Sequence, residues 1–171
     1  MTKKVRLLVI LLCIGIVVCI GVMLWAILRK PGAAPIIPDY APEETDKNAE
    51  PIPGNETKID APAGGGAIGI EYVSEVIIDL SDGMVYLQYV NPGKSTQNIV
   101  LRVEIQGEAV AQSGLIPPGN RLKQLPLAEG MAGKLQPGGY DAQFRILSYN
   151  PETGEKAMID TLAEIRVTVR E

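Results

Sequence analysis

The stretch Asn98-Ile99-Val100-Leu101-Arg102-Val103-Glu104-Ile105-Gln106 decides the fold class. Ile99, Leu101, Val103 and Ile105 alternate with Val100, Arg102, Glu104 and Gln106. A period of two puts the first set on one face of a β-strand and the second on the other. One face is then buried and the other mostly solvated. The same alternation recurs at Val76, Ile78 and Leu80, at Val85, Leu87 and Tyr89, at Tyr140, Ala142, Phe144 and Ile146, and at Ile165, Val167 and Val169. Turn-forming clusters punctuate these runs: Ser81-Asp82-Gly83, Asn91-Pro92-Gly93, Pro117-Pro118-Gly119-Asn120, Pro137-Gly138-Gly139 and Asn150-Pro151-Glu152-Thr153-Gly154. No stretch has a helical period in this region. The spacing predicts seven strands, at about 72–80, 84–90, 98–106, 108–113, 121–127, 139–149 and 156–170. Pro126 puts the fifth at an edge or a bulge.

About 105 residues in seven short antiparallel strands fit an all-β, immunoglobulin-like sandwich over residues 67–171. A small jelly roll or partly open barrel is the alternative. Leu135-Gln136-Pro137-Gly138-Gly139-Tyr140 leads directly into the sixth strand. It matches a tyrosine corner, in which a Tyr at the start of strand F bonds back to the preceding loop. Tyr140 is therefore the structural tyrosine of the expected fold.

Outside this region the chain changes character twice. Leu7–Leu28 is 22 uncharged residues, apolar apart from Gly15 and Gly21. As a helix it would be roughly 33 Å long, enough to cross a hydrocarbon core of about 30 Å. A cleaved signal peptide is the alternative, but its apolar core is shorter and a small-residue cleavage site follows it. Here the nearest candidate, Gly32-Ala33-Ala34, precedes Pro35. Cys13 follows Leu12 and Cys19 follows Val18, so neither sits in a lipoprotein box. Lys3, Lys4 and Arg6 precede the span, and Arg29 and Lys30 follow it. This bias predicts a single-pass protein with its N-terminus in the cytoplasm and its C-terminal domain outside, Trp25 marking the outer interface. Residues 31–66 hold seven of the thirteen prolines and few apolar residues, and read as a disordered linker. Asn55-Glu56-Thr57 is a glycosylation sequon, meaningful only in a eukaryotic secretory pathway.

Charge follows the same division: +5 over residues 1–30, −5 over 31–65 and −4 over 66–171, summing to −4. The acidic exterior, with one Phe and no Trp beyond the span, argues against nucleic-acid binding. The absence of His removes His general bases, His-dependent nucleophiles and His metal ligands. Asp79, Asp82 and Gly83 share a turn but lack the spacing of a calcium loop. Glu152 and Glu155 flank another turn without a cleft to make them a glycosidase pair. No cofactor, metal or catalytic residue is assigned. Tyr86 and Tyr149, of opposite parity to Leu87 and Ile146, are the candidate surface contacts.

The run of turns and strands resembles the Ig-like repeats of bacterial surface proteins, including adhesion-related modules of CARDB type. The residues that carry the likeness are Asn91-Pro92, Pro118-Gly119, the Leu135–Tyr140 segment and the closing 164–169 strand, within about residues 72–170. The resemblance implies a fold and a surface setting and transfers no binding residue. The function expected is protein–protein contact, adhesion or assembly of an envelope complex by a non-catalytic domain. The partners would be the membrane through Leu7–Leu28 and another envelope protein. Binding of a carbohydrate or wall polymer is the alternative.

Overall fold

The computed structural model describes residues 4–6, 12, 13, 15, 16, 18–21, 37–54, 56–61 and 65–171. The chain divides into two units, Met1–Ile36 and Ile37–Glu171. In the first, residues 4–6, 12, 13, 15, 16 and 18–21 are helical. Among the described residues no helix is long and apolar enough to cross a membrane. The rest of the expected Leu7–Leu28 span, like Asn55 of the sequon, lies outside the described residues.

The second unit is all-β. Its strands are β1 (Glu50–Pro51), β2 (Glu71–Tyr72), β3 (Glu75–Asp79), β4 (Met84–Asn91), β5 (Asn98–Ile105), β6 (Glu108–Gln112), β7 (Asn120–Pro126), β8 (Gly138–Tyr149) and β9 (Thr161–Arg170). They form one sheet in the order β1-β7-β4-β3-β9-β8-β5-β6, with β2 pairing β4 off this path. All pairings are antiparallel except β3 with β9, where Glu75–Asp79 run parallel to Arg166–Arg170. The sheet curls so that its two halves face each other. Tyr89 of β4 and Phe144 of β8 stand three strands apart in the order, yet their rings meet edge-on at 6.2 Å. At the far margin the amide of Ala128, just past β7, donates to Val110 O of β6 at 2.8 Å.

The apolar set of each alternating run fills the space between the halves. Val76, Ile78, Val85, Leu87, Ile99, Leu101, Val103, Phe144, Ile146, Val167 and Val169 are all buried there. The β5–β6 turn is Gln106-Gly107, with φ of 51° and 82°. Two consecutive positive φ values define a type I′ hairpin turn, whose twist suits antiparallel strands and in which glycine carries no Cβ penalty.

Three expectations are corrected. The strands number nine among the described residues, rather than seven. Two of the nine divide one expected strand, since the first run splits into β2, which pairs only β4, and β3, which pairs both β4 and β9. The closing strand starts at Thr161, because residues 150–160 form a long connection instead of its first half. Third, the linker is not disordered where it is described, since residues 37–54 and 56–61 are bonded to the β domain as a strap. Ala41 N donates to Gly154 O, Lys156 N to Asp39 O, Asp46 N to Leu115 O and Ile52 N to Gly119 O, all at 2.8–2.9 Å. Further along, β1 pairs β7, Ile59 N donates to Lys94 O at 2.8 Å, and Lys58 Nζ reaches Gly93 O and Ser95 O at 2.8 Å. Composition could not show this, because the segment is held by backbone groups completing unpaired strand margins, not by periodic apolar side chains.

The second face of β5 is buried rather than solvated, with Val100, Arg102 and Glu104 each under 5% exposed. Val100 joins Leu147 and Tyr149 in a small second core, against which Ile37, Ala41 and Leu115 pack.

The strap fits because Gly114 has no side chain. Its amide donates to Asp46 Oδ2 at 2.7 Å, and a Cβ there would lie 3.0–3.2 Å from Asp46 Cα, Asp46 N and Glu44 O. Those neighbours are backbone and cannot swing aside. Gly114→Ala should therefore release residues 44–50 while leaving the main core intact. Hydrogen exchange should show amide protection lost at Asp46 and its neighbours and retained in β5 and β8.

Candidate functional site

The three tyrosines singled out from sequence occupy different environments. Tyr86 lies on the outer face of β4, 36% exposed, and its hydroxyl donates to Asp82 Oδ2 at 2.5 Å. The Asp82 carboxylate accepting that proton raises the Tyr86 pKa, with burial adding to the effect. The sheet register sets Tyr86 between Gln124 of β7 and Ile77 of β3, and Ile77 beside Thr168 of β9. Ile77 is 37% exposed, so an aromatic and a branched aliphatic side chain stand together on a face otherwise polar. Such pairs on a rigid sheet are the kind of surface that proteins use for recognition.

Tyr149 is not a surface residue, contrary to the reading from parity. It is fully buried, and its hydroxyl donates to Pro38 O at 3.2 Å. Burial raises its pKa. Parity did place it on the outer side of β8, but the strap covers that side. Tyr140, at the start of β8, donates its hydroxyl to Gln136 O at 2.9 Å and accepts from Gln136 N at 3.2 Å. The ring thereby closes the loop that precedes the strand.

The carboxylates are committed to structural bonds. Asp79 accepts from Ser81 Oγ at 2.6 Å and from Arg170 Nε at 3.0 Å. Asp82 accepts from Met84 N as well as Tyr86. Both shape the β3–β4 turn. Glu152 and Glu155 are exposed on the β8–β9 connection. No group of three His, Cys, Asp or Glu among the described residues is placed to hold a metal.

A network that sequence reading missed lies on the outer face of β5 and β8. Arg102 and Arg145 are directly opposed in the ladder. Glu104 resolves that repulsion, accepting from Arg145 Nε at 2.7 Å and from Gln143 Nε2 at 2.8 Å. Arg145 continues to Asp160 at 3.3 Å, which also pairs with Lys156. Arg102 forks onto Gln112 Oε1 at 2.9 and 2.7 Å. Burial pushes the Glu104 pKa up, but the bonds from Arg145 and Gln143 outweigh it and hold the carboxyl below its usual range. Only the alternation of charges along β5 hinted at this, and alternation reads equally as a solvated face. Beside the strap, a hollow of about 360 Å³ is lined by Ile52, Pro53, Glu56, Glu71, Val90 and Arg121. Arg121 there is already paired with Glu50 at 3.1 Å.

No family model matches the chain. No curated protein matches it either. Among solved structures it is similar to AggA, the major subunit of aggregative adherence fimbriae type I from Escherichia coli. That likeness has 11% identity and a TM-score of 0.33, and covers 68% of this chain and 100% of that one. A likeness at this level carries no argument about what this chain does.

Two measurements check the geometry. Tyr140→Phe should cost about 1 kcal/mol by denaturant titration, the net worth of a hydroxyl–carbonyl bond at a half-buried site. Glu104 holds its charge to lower pH in the folded chain than in the unfolded one. Its contribution is therefore present above the unfolded carboxylate value, about 4.3, and is lost as pH falls through the folded value. Glu104→Gln should lower stability at neutral pH by about 1–3 kcal/mol and flatten the fall in stability below about pH 4.3.

Proposed function

We propose that this chain is a non-catalytic, single-pass membrane protein whose extracytoplasmic domain is Ig-like and serves protein–protein contact in an envelope complex. The strand order supports the Ig-like assignment. β3, β4 and β7 take the places of strands A, B and E, while β5, β8 and β9 take those of C, F and G, with Tyr140 opening F. A first strand that pairs one half antiparallel along one edge and the other half in parallel along its other edge fits the same scheme.

The carboxylates nearest the turns and margins act as charged structural partners: Lys123 and Arg121 lower the Glu50 pKa by hydrogen bonding, and hydrogen bonds from Ser81 chiefly lower that of Asp79. The single observation that carries the reading is the outward Tyr86–Ile77 pair, presented by the paired strands β4 and β3. The wall-polymer alternative loses one of its two residues with the burial of Tyr149.

The test has two arms. On intact cells, added protease should remove the C-terminal domain while the membrane keeps the N-terminal fragment; a protected domain rejects the reading. In the same cells, photocrosslinking from a probe at Gln124, the neighbour of Tyr86, should capture a protein. Tyr86→Ala should reduce that yield several-fold, and capture of wall polymer instead supports the alternative.

A further inference from the structure

Among the described residues, the two most exposed large apolar side chains of the β domain sit on the β8–β9 connection, with a third just after it. Met158 is 98% exposed, Ile159 80% and Leu162 53%. This connection is not a loose loop. Ala157 N donates to Ser148 O at 2.8 Å and Asn150 N to Glu155 O at 2.9 Å. Lys156 and Asp160, which flank Met158 and Ile159, are paired with each other, and Asp160 is pinned to Arg145 at 3.3 Å. A rigid framework thus holds two neighbouring apolar side chains out in water. Exposed apolar clusters of this kind mark surfaces that are covered in use.

What covers them follows from where the strap begins. Its first described hydrogen bonds are to the end of β8 and to this connection: Tyr149 Oη to Pro38 O, Lys156 N to Asp39 O, the Tyr40–Glu155 bridge, and Ala41 N to Gly154 O. Only residues 29–36, eight in all, separate Leu28 from Ile37. Eight residues reach at most about 28 Å fully extended. The 12 residues of β8 alone extend about 36 Å toward the opposite end of the domain, where residues 127–137 lie. The chain that leaves the expected span therefore enters the β domain at this connection, at the end opposite residues 127–137.

We propose that Met158 and Ile159 rest in the headgroup region of the lipid bilayer, making the β8–β9 connection the foot of the domain. The proposal rests on the membrane-anchor reading of Leu7–Leu28. Tyr40, 62% exposed on the adjoining rung, is of the residue type enriched at membrane interfaces. Lys156 is neutralised by Asp160, and Asp39, Glu152 and Glu155 stand nearby. The contact is therefore apolar rather than electrostatic. It forms on zwitterionic lipid and is insensitive to salt.

The test uses the full chain in phosphatidylcholine vesicles whose acyl chains are brominated close to the headgroups. In a Trp25→Phe background, tryptophan is introduced by Ile159→Trp or, at the opposite end, by Glu129→Trp. Fluorescence of the Ile159→Trp chain should be quenched at least about twofold more than that of the Glu129→Trp chain, and high salt should not change this. Adding Met158→Asp should reduce the difference. Equal quenching at the two positions overturns the proposal. So does a lipid-independent blue shift at position 159 that grows with protein concentration, which would mean that a second copy covers the connection. In the unaltered chain, quenching of Trp25 by the same bromines close to the headgroups tests the anchor itself, because Trp25 is expected at the outer interface. If Trp25 is quenched and position 159 is not, the foot is wrong and the anchor stands. If Trp25 is not quenched, both fall.

Discussion

The parallel ladder between β3 and β9 is the interaction on which the rest of the domain depends. β3 is five residues long, and in the strand order it stands between the half made of β1, β7 and β4 and the half made of β9, β8, β5 and β6. Because β3 is short and the sheet curls around it, the two halves face each other across one core instead of lying side by side. Inward apolar side chains of β4, β5 and β8 then share one core, and the contact between Tyr89 and Phe144 is one result. The outward faces follow from the same curl. One carries Tyr86 and Ile77, and the other carries the charge network around Glu104 and the strap.

Most of this framework was legible in the sequence. Period-two runs fixed which residues of β3, β4, β5, β8 and β9 face inward, and glycine- and proline-rich turns fixed where the runs stop. Two kinds of information were not legible. The first concerns the second face of β5. Alternation says that Val100, Arg102 and Glu104 share a side, but not whether water or another part of the chain meets them. The second concerns the strap. Its bonds to Gly154, Leu115, Gly119 and Lys94 are made by backbone groups, which any sequence possesses. Composition registers side chains, so a proline-rich acidic segment looks solvated whether or not its backbone is engaged.

The same limit governed the candidate residues. Tyr86 and Tyr149 were chosen by one rule, outward parity on a strand, and the structure separates them. Tyr86 stays exposed beside the Asp82 side chain to which it donates, whereas Pro38 and its neighbours close over Tyr149. Parity assigns a side of the sheet; burial depends on what else is folded onto that side. Tyr140 was legible for a different reason. Its partner, Gln136, lies four residues away, so sequence spacing alone brings the two together.

The strap has a mechanical consequence. Its attachments are mostly single rungs, at Tyr40, Asp46, Ile52 and Ile59, arranged in sequence along the margin of the domain. A pull on the N-terminal segment would load the rung at Tyr40 first, then each of the others in turn. Bonds loaded one at a time yield at lower force than a β-ladder sheared all at once. Peeling residues 37–49 in this way would pay out 13 residues of chain, about 45 Å when extended, before β1 and the sheet bore any load. The segment would then act as a reel of slack, short at rest and long under tension, wound on the outside of the domain that it carries.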